Sequence, residues 1–197
     1  MKYPNQLIVV SAHYDHLGTR AGKVYYGADD NASGVAVMLH IAQYISNNPP
    51  AYSVVFLASD GEEKGLLGAK YFVKKYKNKI VFNLNLDMIG RSKNLYYLTP
   101  NQLKPVVKNA LKLHGLELTF RRRHRDFNQI KRIDYTRASD HRIFAKAGIE
   151  YIFLAGAPHS DYHKVSDIVQ KISPQRFSHH ADAAVGVFQI IEDLLVN

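Results

Sequence analysis

The sequence predicts an α/β fold: a three-layer sandwich in which a mixed, mostly parallel β-sheet lies between helices on both faces. Two patterns carry this prediction. Residues 7–12, 54–58 and 151–154 are apolar runs without the polar alternation of a half-wet strand, so both strand faces must be covered. Helix-period segments lie between the runs, and alternating strand and helix is the arrangement of βαβ units.

In chain order, the first strand (7–12) ends in His13, the second (54–58) in Ser59 and Asp60. A third (80–86, interrupted by Asn83 and Asn85) ends in Asp87, and the fourth (151–154) leads into a loop that delivers His163. The first helix is capped by Ser33, carries Val35, Met38, Leu39, Ala42 and Ile45 on one stripe, and stops before Asn47, Asn48, Pro49 and Pro50. Further helices are predicted over 65–76, 104–114 and 140–147. The last begins with Ser173 as cap and Pro174 in the first turn, and buries Phe177, Ala181, Ala184, Val185, Phe188 and Ile191. Residues 115–137 are the least regular and are assigned a strand and a long loop. Neither repeats nor a linker divide the 197 residues, so 1–197 reads as one domain.

Composition narrows the chemistry. There is no cysteine, which excludes disulfides, thiol nucleophiles and thiolate-bound metal; any metal must be held by imidazole and carboxylate. No run approaches the roughly 20 apolar residues of a membrane-spanning helix. The net charge of +9 gathers in Arg121, Arg122, Arg123, Arg125, Lys131, Arg132, Arg137 and Arg142. Without a base-stacking or recognition-helix pattern, this is read as a solvated face and not as a nucleic-acid surface.

In open α/β sheets, ligands bind beyond the carboxyl ends of the strands. The residues there and in the adjoining loops are His13, Asp15, Asp29, Asp30, Glu62, Glu63, Asp87 and His163. Taken singly, each has an ordinary structural explanation. Together in one cleft they would repel one another unless cations compensated them, and two histidines among carboxylates suit zinc better than calcium or magnesium.

Six segments, SAHYDHLG (11–18), GADDNASGVAVML (27–39), SDGEEKGLLGAKYF (59–72), NLNLDMIG (83–90), ASDH (138–141) and DYHKVSD (161–167), occur in the order found in the di-zinc exopeptidases. The chain resembles that family, which includes bacterial leucyl aminopeptidases, aminopeptidases S and Y, glutamate carboxypeptidase and, more distantly, glutaminyl cyclase. The resemblance implies two zinc ions per chain. His13 and Asp87 would be ligands of one, Glu63 and His163 of the other, with Asp30 bridging and a cis peptide after it. It makes Glu62 the general base for a metal-activated water, Tyr162 the phenol that steadies the oxyanion, and Asp15 the hydrogen-bond partner of the far nitrogen of His13. Ser139 and Asp140 match a motif near the metals but are equally explained as helix caps. His16, His124 and His159 are read as surface or loop histidines.

The implied activity is hydrolysis of a terminal peptide bond, most readily as an aminopeptidase. A carboxypeptidase for acidic substrates, a glutaminyl cyclase-like acyltransferase and a non-catalytic binding module are the alternatives. The implied partner is a peptide, the implied location secreted or periplasmic, and the oligomeric state stays open. Family members carry another strand and a helical segment ahead of the first motif. The chain is therefore expected to lack an upstream segment of a longer precursor, leaving the sheet edge beside residues 7–12 open or covered by a partner.

Overall fold

The computed structural model describes residues 1–125 and 132–196. Ten strands and five α-helices follow in order: β1 (Tyr3–His13), β2 (Gly18–Arg20), β3 (Lys23–Tyr25), α1 (Gly34–Asn47), β4 (Tyr52–Ser59), α2 (Leu67–Tyr76) and β5 (Ile80–Asp87). Next come β6 (Tyr96–Leu98), α3 (Lys104–Leu113), β7 (Thr119–Phe120), β8 (Arg123–Arg125), β9 (Arg132–Asp134), α4 (His141–Lys146), β10 (Glu150–Ala155) and α5 (Pro174–Val196).

Six strands form the central sheet in the order β4-β1-β5-β10-β6-β7. The four long ones are parallel, with Val9 opposite Val55 and Asn83, and Ile152 opposite Leu84. Only the β6–β10 pairing is antiparallel, which makes the sheet mixed. The expected open edge beside β1 is therefore corrected: β4 occupies that side and is itself the outer strand.

Alternate side chains of each strand feed two cores, which is why the runs are continuously apolar. Ile8, Val10 and Ala12 of β1 and Phe82, Leu84 and Leu86 of β5 face α1, α3 and α5. Val9 and Ile80 face α2 and α4 through Ala69, Val73 and Phe144. Burying a side chain of this size stabilises the fold by about 1.5–3 kcal/mol. On the α2–α4 side, the strand polarity that the sequence displayed as Asn83 and Asn85 becomes a hydrogen-bonded seam in which the Asn83 side-chain oxygen is left without a partner. Ser11 donates to Asn85 at 2.8 Å, Asn83 donates to Ser11 at 2.9 Å, and Asn85 donates to Ser139 at 2.9 Å.

The helices match their predicted spans to within two residues, except that the first buries Val37, Met38 and Ile41 while Leu39 is exposed. Ser33 does not cap it. The Asn31 side-chain oxygen accepts the Gly34 N–H at 3.0 Å instead, and the Ser33 hydroxyl donates to the Asp29 carbonyl at 2.7 Å. Among its described residues the irregular region forms β7 and an antiparallel β8–β9 pair, and 126–131 lie outside the described residues. Lys131 lies outside the described residues; Arg122, Arg123 and Arg137 are exposed, and the Arg121 guanidinium sits 5.0 Å over the Tyr96 ring. Strand β6 had no counterpart in the sequence reading because three residues are too few to display a period.

Candidate metal centre

Because β1, β4, β5 and β10 run parallel, their carboxyl ends lie together, and the polar residues just beyond them converge. His13 Nε2 lies 3.4 Å from Asp30 Oδ1 and 3.6 Å from Asp87 Oδ1. The other Asp30 oxygen, Oδ2, is 3.2 Å from His163 Nε2, which is 3.3 Å from Glu63 Oε1. Asp30 thus presents one oxygen to each of two donor groups. The spacings match the edge of a tetrahedron built on zinc bonds of 2.0–2.2 Å, about 3.3–3.6 Å. Five predicted ligands are brought together, and the expected cis peptide is present between Asp30 and Asn31.

Buried polar atoms normally find partners. Here Asp30 Oδ2, Glu63 Oε1 and Asp87 Oδ1 are buried without a hydrogen bond, as are both ring nitrogens of His16. The residues therefore fit a pair of divalent cations, and proton affinities follow the same field. Burial alone would depress His13, but Asp87, Asp15 and Asp30 outweigh it and raise the imidazole far above its ordinary range. For His163 burial is likewise overcome by Asp30 and Glu63, and its pKa rises to about 10.

Glu62 differs from its neighbour. Burial, followed by the charge of Asp87 and, more weakly, of Asp140 and Glu63, pushes its carboxyl up to about 8 against the opposing pull of His13. It lines a cleft of about 440 Å³ shared with Asp30, Glu63 and Asp87, and walled by Met88, Ile133, Tyr135, Phe153, Pro158 and Tyr162. The Tyr135 hydroxyl is committed to the Gly156 carbonyl at 2.6 Å. Tyr162 stacks on His163 with ring centroids 3.9 Å apart and is partly exposed.

The backbone carrying Asp30 is clamped. The Asp167 carboxylate accepts the N–H groups of Asp29 at 3.0 Å and Asp30 at 3.1 Å. Asn31 donates to the Leu86 carbonyl at 3.0 Å and accepts the Met88 N–H at 3.1 Å, tying the loop to the end of β5. Gly27 has φ 64°, and a Cβ there would lie 2.3 Å from the Asp30 carbonyl oxygen, so only glycine lets the chain pass. The loop bearing His163 is anchored separately: Asp161 pairs with Arg91 and with Lys171, each at 2.7 Å.

Asp15 does more than its expected pairing with His13. Its carboxylate lies 3.6 Å from His13 Nδ1, which is also 3.0 Å from the Asp15 backbone carbonyl. The carboxylate in addition accepts the N–H groups of Glu62 at 3.1 Å and Glu63 at 3.2 Å, positioning both glutamates. Ser139 and Asp140 make no side-chain cap either: Ser139 is bonded to Asn85, and Asp140 to Ser59. Two of the histidines read as surface or loop residues face this region. His159 Nε2 meets Asp29 at 3.1 Å, and the His16 ring is buried beside Glu63. The spacing His13-x-x-His16, from the last residue of a strand into the turn that follows it, was the available signal for the latter.

Fold and site define a class: an α/β sandwich that gathers imidazoles and carboxylates, a candidate metal site, at the carboxyl ends of its parallel strands. The family profile described as Peptidase family M28 matches residues 1–188, and the chain belongs to that family. Over 196 residues it is 29% identical to aminopeptidase YwaD of Bacillus subtilis, covering 92% of this chain and 40% of that protein. Over 142 residues it is 32% identical to the alkaline phosphatase isozyme conversion protein of Escherichia coli, covering 60% and 40%. Among solved structures, a zinc aminopeptidase from Bacillus subtilis superposes with TM-score 0.75 at 26% identity, covering 96% of this chain and 47% of that one. LapB from Legionella pneumophila shares the fold with TM-score 0.79 at 19% identity, covering 96% and 53%. The chain thus spans about half or less of the length of these relatives. No helix among the described residues is long and apolar enough to cross a membrane.

Proposed function

We propose that this chain is a zinc-dependent aminopeptidase that removes the N-terminal residue of a peptide with the aid of two zinc ions. The observation that carries the reading is the placement of Asp30 between His13 and Asp87 on one side and Glu63 and His163 on the other. His13, Asp30 and Asp87 would hold one ion; Asp30, Glu63 and His163 the other. Bound zinc supplies Lewis acidity for the scissile carbonyl and makes water acidic enough to attack near neutral pH.

The protein's own groups do the rest. Glu62, held by the Asp15 contact to its N–H, accepts the proton of the attacking water and returns it to the leaving amine. Its elevated pKa suits the second half of that exchange, while the positive charge of bound cations favours the ionised form needed for the first. Glu63, three bonds along the chain but engaged with His163, has no such freedom. Tyr162 steadies the negative charge developing on the carbonyl oxygen.

The choice of an N-terminal substrate rests on the cleft. No lysine or arginine stands among the described residues lining it, as a carboxypeptidase would require to hold a substrate carboxylate. The apolar wall of Met88, Ile133, Phe153 and Pro158 suits an apolar first side chain.

Replacing Glu62 with Gln is expected to retain metal and lower turnover of an aminoacyl anilide by roughly two to four orders of magnitude. Undiminished turnover would remove Glu62 from the role of base. Faster cleavage of an N-acyl amino acid than of the aminoacyl anilide by the unaltered protein would overturn the aminopeptidase reading.

A further inference from the structure

We infer that His16 is a fourth protein ligand of the ion held by Asp30, Glu63 and His163, an inference that rests on the metal reading above. The His16 side chain is only 7% exposed, and neither ring nitrogen has a hydrogen-bond partner. A buried imidazole in that condition forfeits the hydrogen bonds it would make in water unless something else takes its lone pair. Its Nδ1 lies 3.2 Å from Glu63 Oε1 and 3.7 Å from Asp30 Oδ2, the same two oxygens that His163 Nε2 approaches at 3.3 and 3.2 Å. Those oxygens are themselves buried and unpartnered. Two imidazoles therefore face the same two carboxylate oxygens, three of the four nitrogen–oxygen spacings being 3.2–3.3 Å and the fourth, from His16 to Asp30, 3.7 Å.

The seat is built. A Cβ at Gly27 would come within 2.6 Å of His16 Cγ, so the glycine that admits the bridging loop also admits this ring, and His16 meets His163 edge-on with centroids 5.8 Å apart.

The consequence is an unequal pair. The half-site of His13, Asp30 and Asp87 has three protein donors, the number typical of a catalytic zinc that keeps an open position. The half-site with His16 has four and holds its ion more tightly. The ion beside His13 and Asp87 is thus the exchangeable one.

Zinc titration of the metal-free chain against a chromophoric chelator, with zinc X-ray absorption to count imidazoles, tests this on the unaltered protein and on His16→Gln. Expected are two ions per chain and three imidazoles shared between them. In His16→Gln the tighter constant should weaken by more than about 100-fold, beyond the 10–100-fold that loss of an outer partner costs, and the imidazole count should fall to two. Two ions with unchanged constants, or only two imidazoles in the unaltered protein, would overturn the inference while leaving the dinuclear reading intact. One bound ion whose imidazole count drops from two to one in His16→Gln would keep His16 as a ligand and remove the dinuclear reading. One ion with an unaffected count, or no zinc at all, would remove both. Should His16→Gln fail to fold, as judged by circular dichroism, the imidazole count of the unaltered protein decides.

Discussion

The two halves of the proposed metal centre are built differently. His13 and Asp87 end central strands of the sheet and are buried with Asp30 in the body of the protein. Glu63, His16 and His163 stand on three loops, and the His163 side chain is 38% exposed. The first half inherits rigidity from the strand register, and the second from hydrogen bonds between loops. Sheet-end ligands are positioned by the apolar core beneath them, whereas loop ligands depend on polar clamps such as Asp15 to Glu62 and Glu63, and Asp161 to Arg91 and Lys171.

Asp30 belongs to both halves, so Asp30→Asn should have the largest effect: both ions lost, each with an affinity decrease above roughly 100-fold, and turnover abolished. Metal content by mass spectrometry after gel filtration checks it, and retention of one ion would mean that the halves are independent. Asp167→Asn, which weakens the clamp on the Asp29 and Asp30 N–H groups, is expected to weaken both ions by about 10–100-fold. Ser139→Ala, which removes a hydroxyl bonded to Asn85 and to the Asp87 carboxyl, should spare the loop-built half; equal weakening of both would merge the two halves into one unit.

The smallest effect concerns proton linkage in the metal-free protein. Glu62 titrates near 4.5 when unfolded and is raised by burial to about 8 when folded, so the folded state binds the proton more tightly. The stability this adds is complete below about 4.5 and is lost as pH rises through about 8. Glu62→Gln, uncharged throughout, should unfold at a higher temperature than the unaltered chain at pH 8 and show a shallower decline between pH 5 and 8. Parallel thermal melts across that range check the sign.

Much of the site was legible because strand ends are legible. His13, Asp60 and Asp87 close apolar runs, and parallel strands bring such ends together whatever the loops do. The Asp29-Asp30-Asn31 and Glu62-Glu63 pairs were likewise visible. The partners that clamp them were not: Asp167 is 137 residues from Asp30, and Arg91 is 70 from Asp161. Asp15 was legible as a partner of His13, but its bonds to the Glu62 and Glu63 N–H groups were not, since only the path of the turn decides what else its carboxylate reaches. His16 looked ordinary because a histidine in a polar turn carries no period, and its spacing from His13 was the one hint it offered.

From its residues alone this chain determined a sheet sandwiched between helices, the helix spans, and the set of ionisable groups at one end of that sheet, because apolar periodicity and chain breaks are local properties. Tertiary structure decided which strand is the outer one, which oxygen of Asp30 faces which imidazole, and that His16 is enclosed beside Glu63. Those are relations between distant segments, set by packing and hydrogen bonds that no local pattern records.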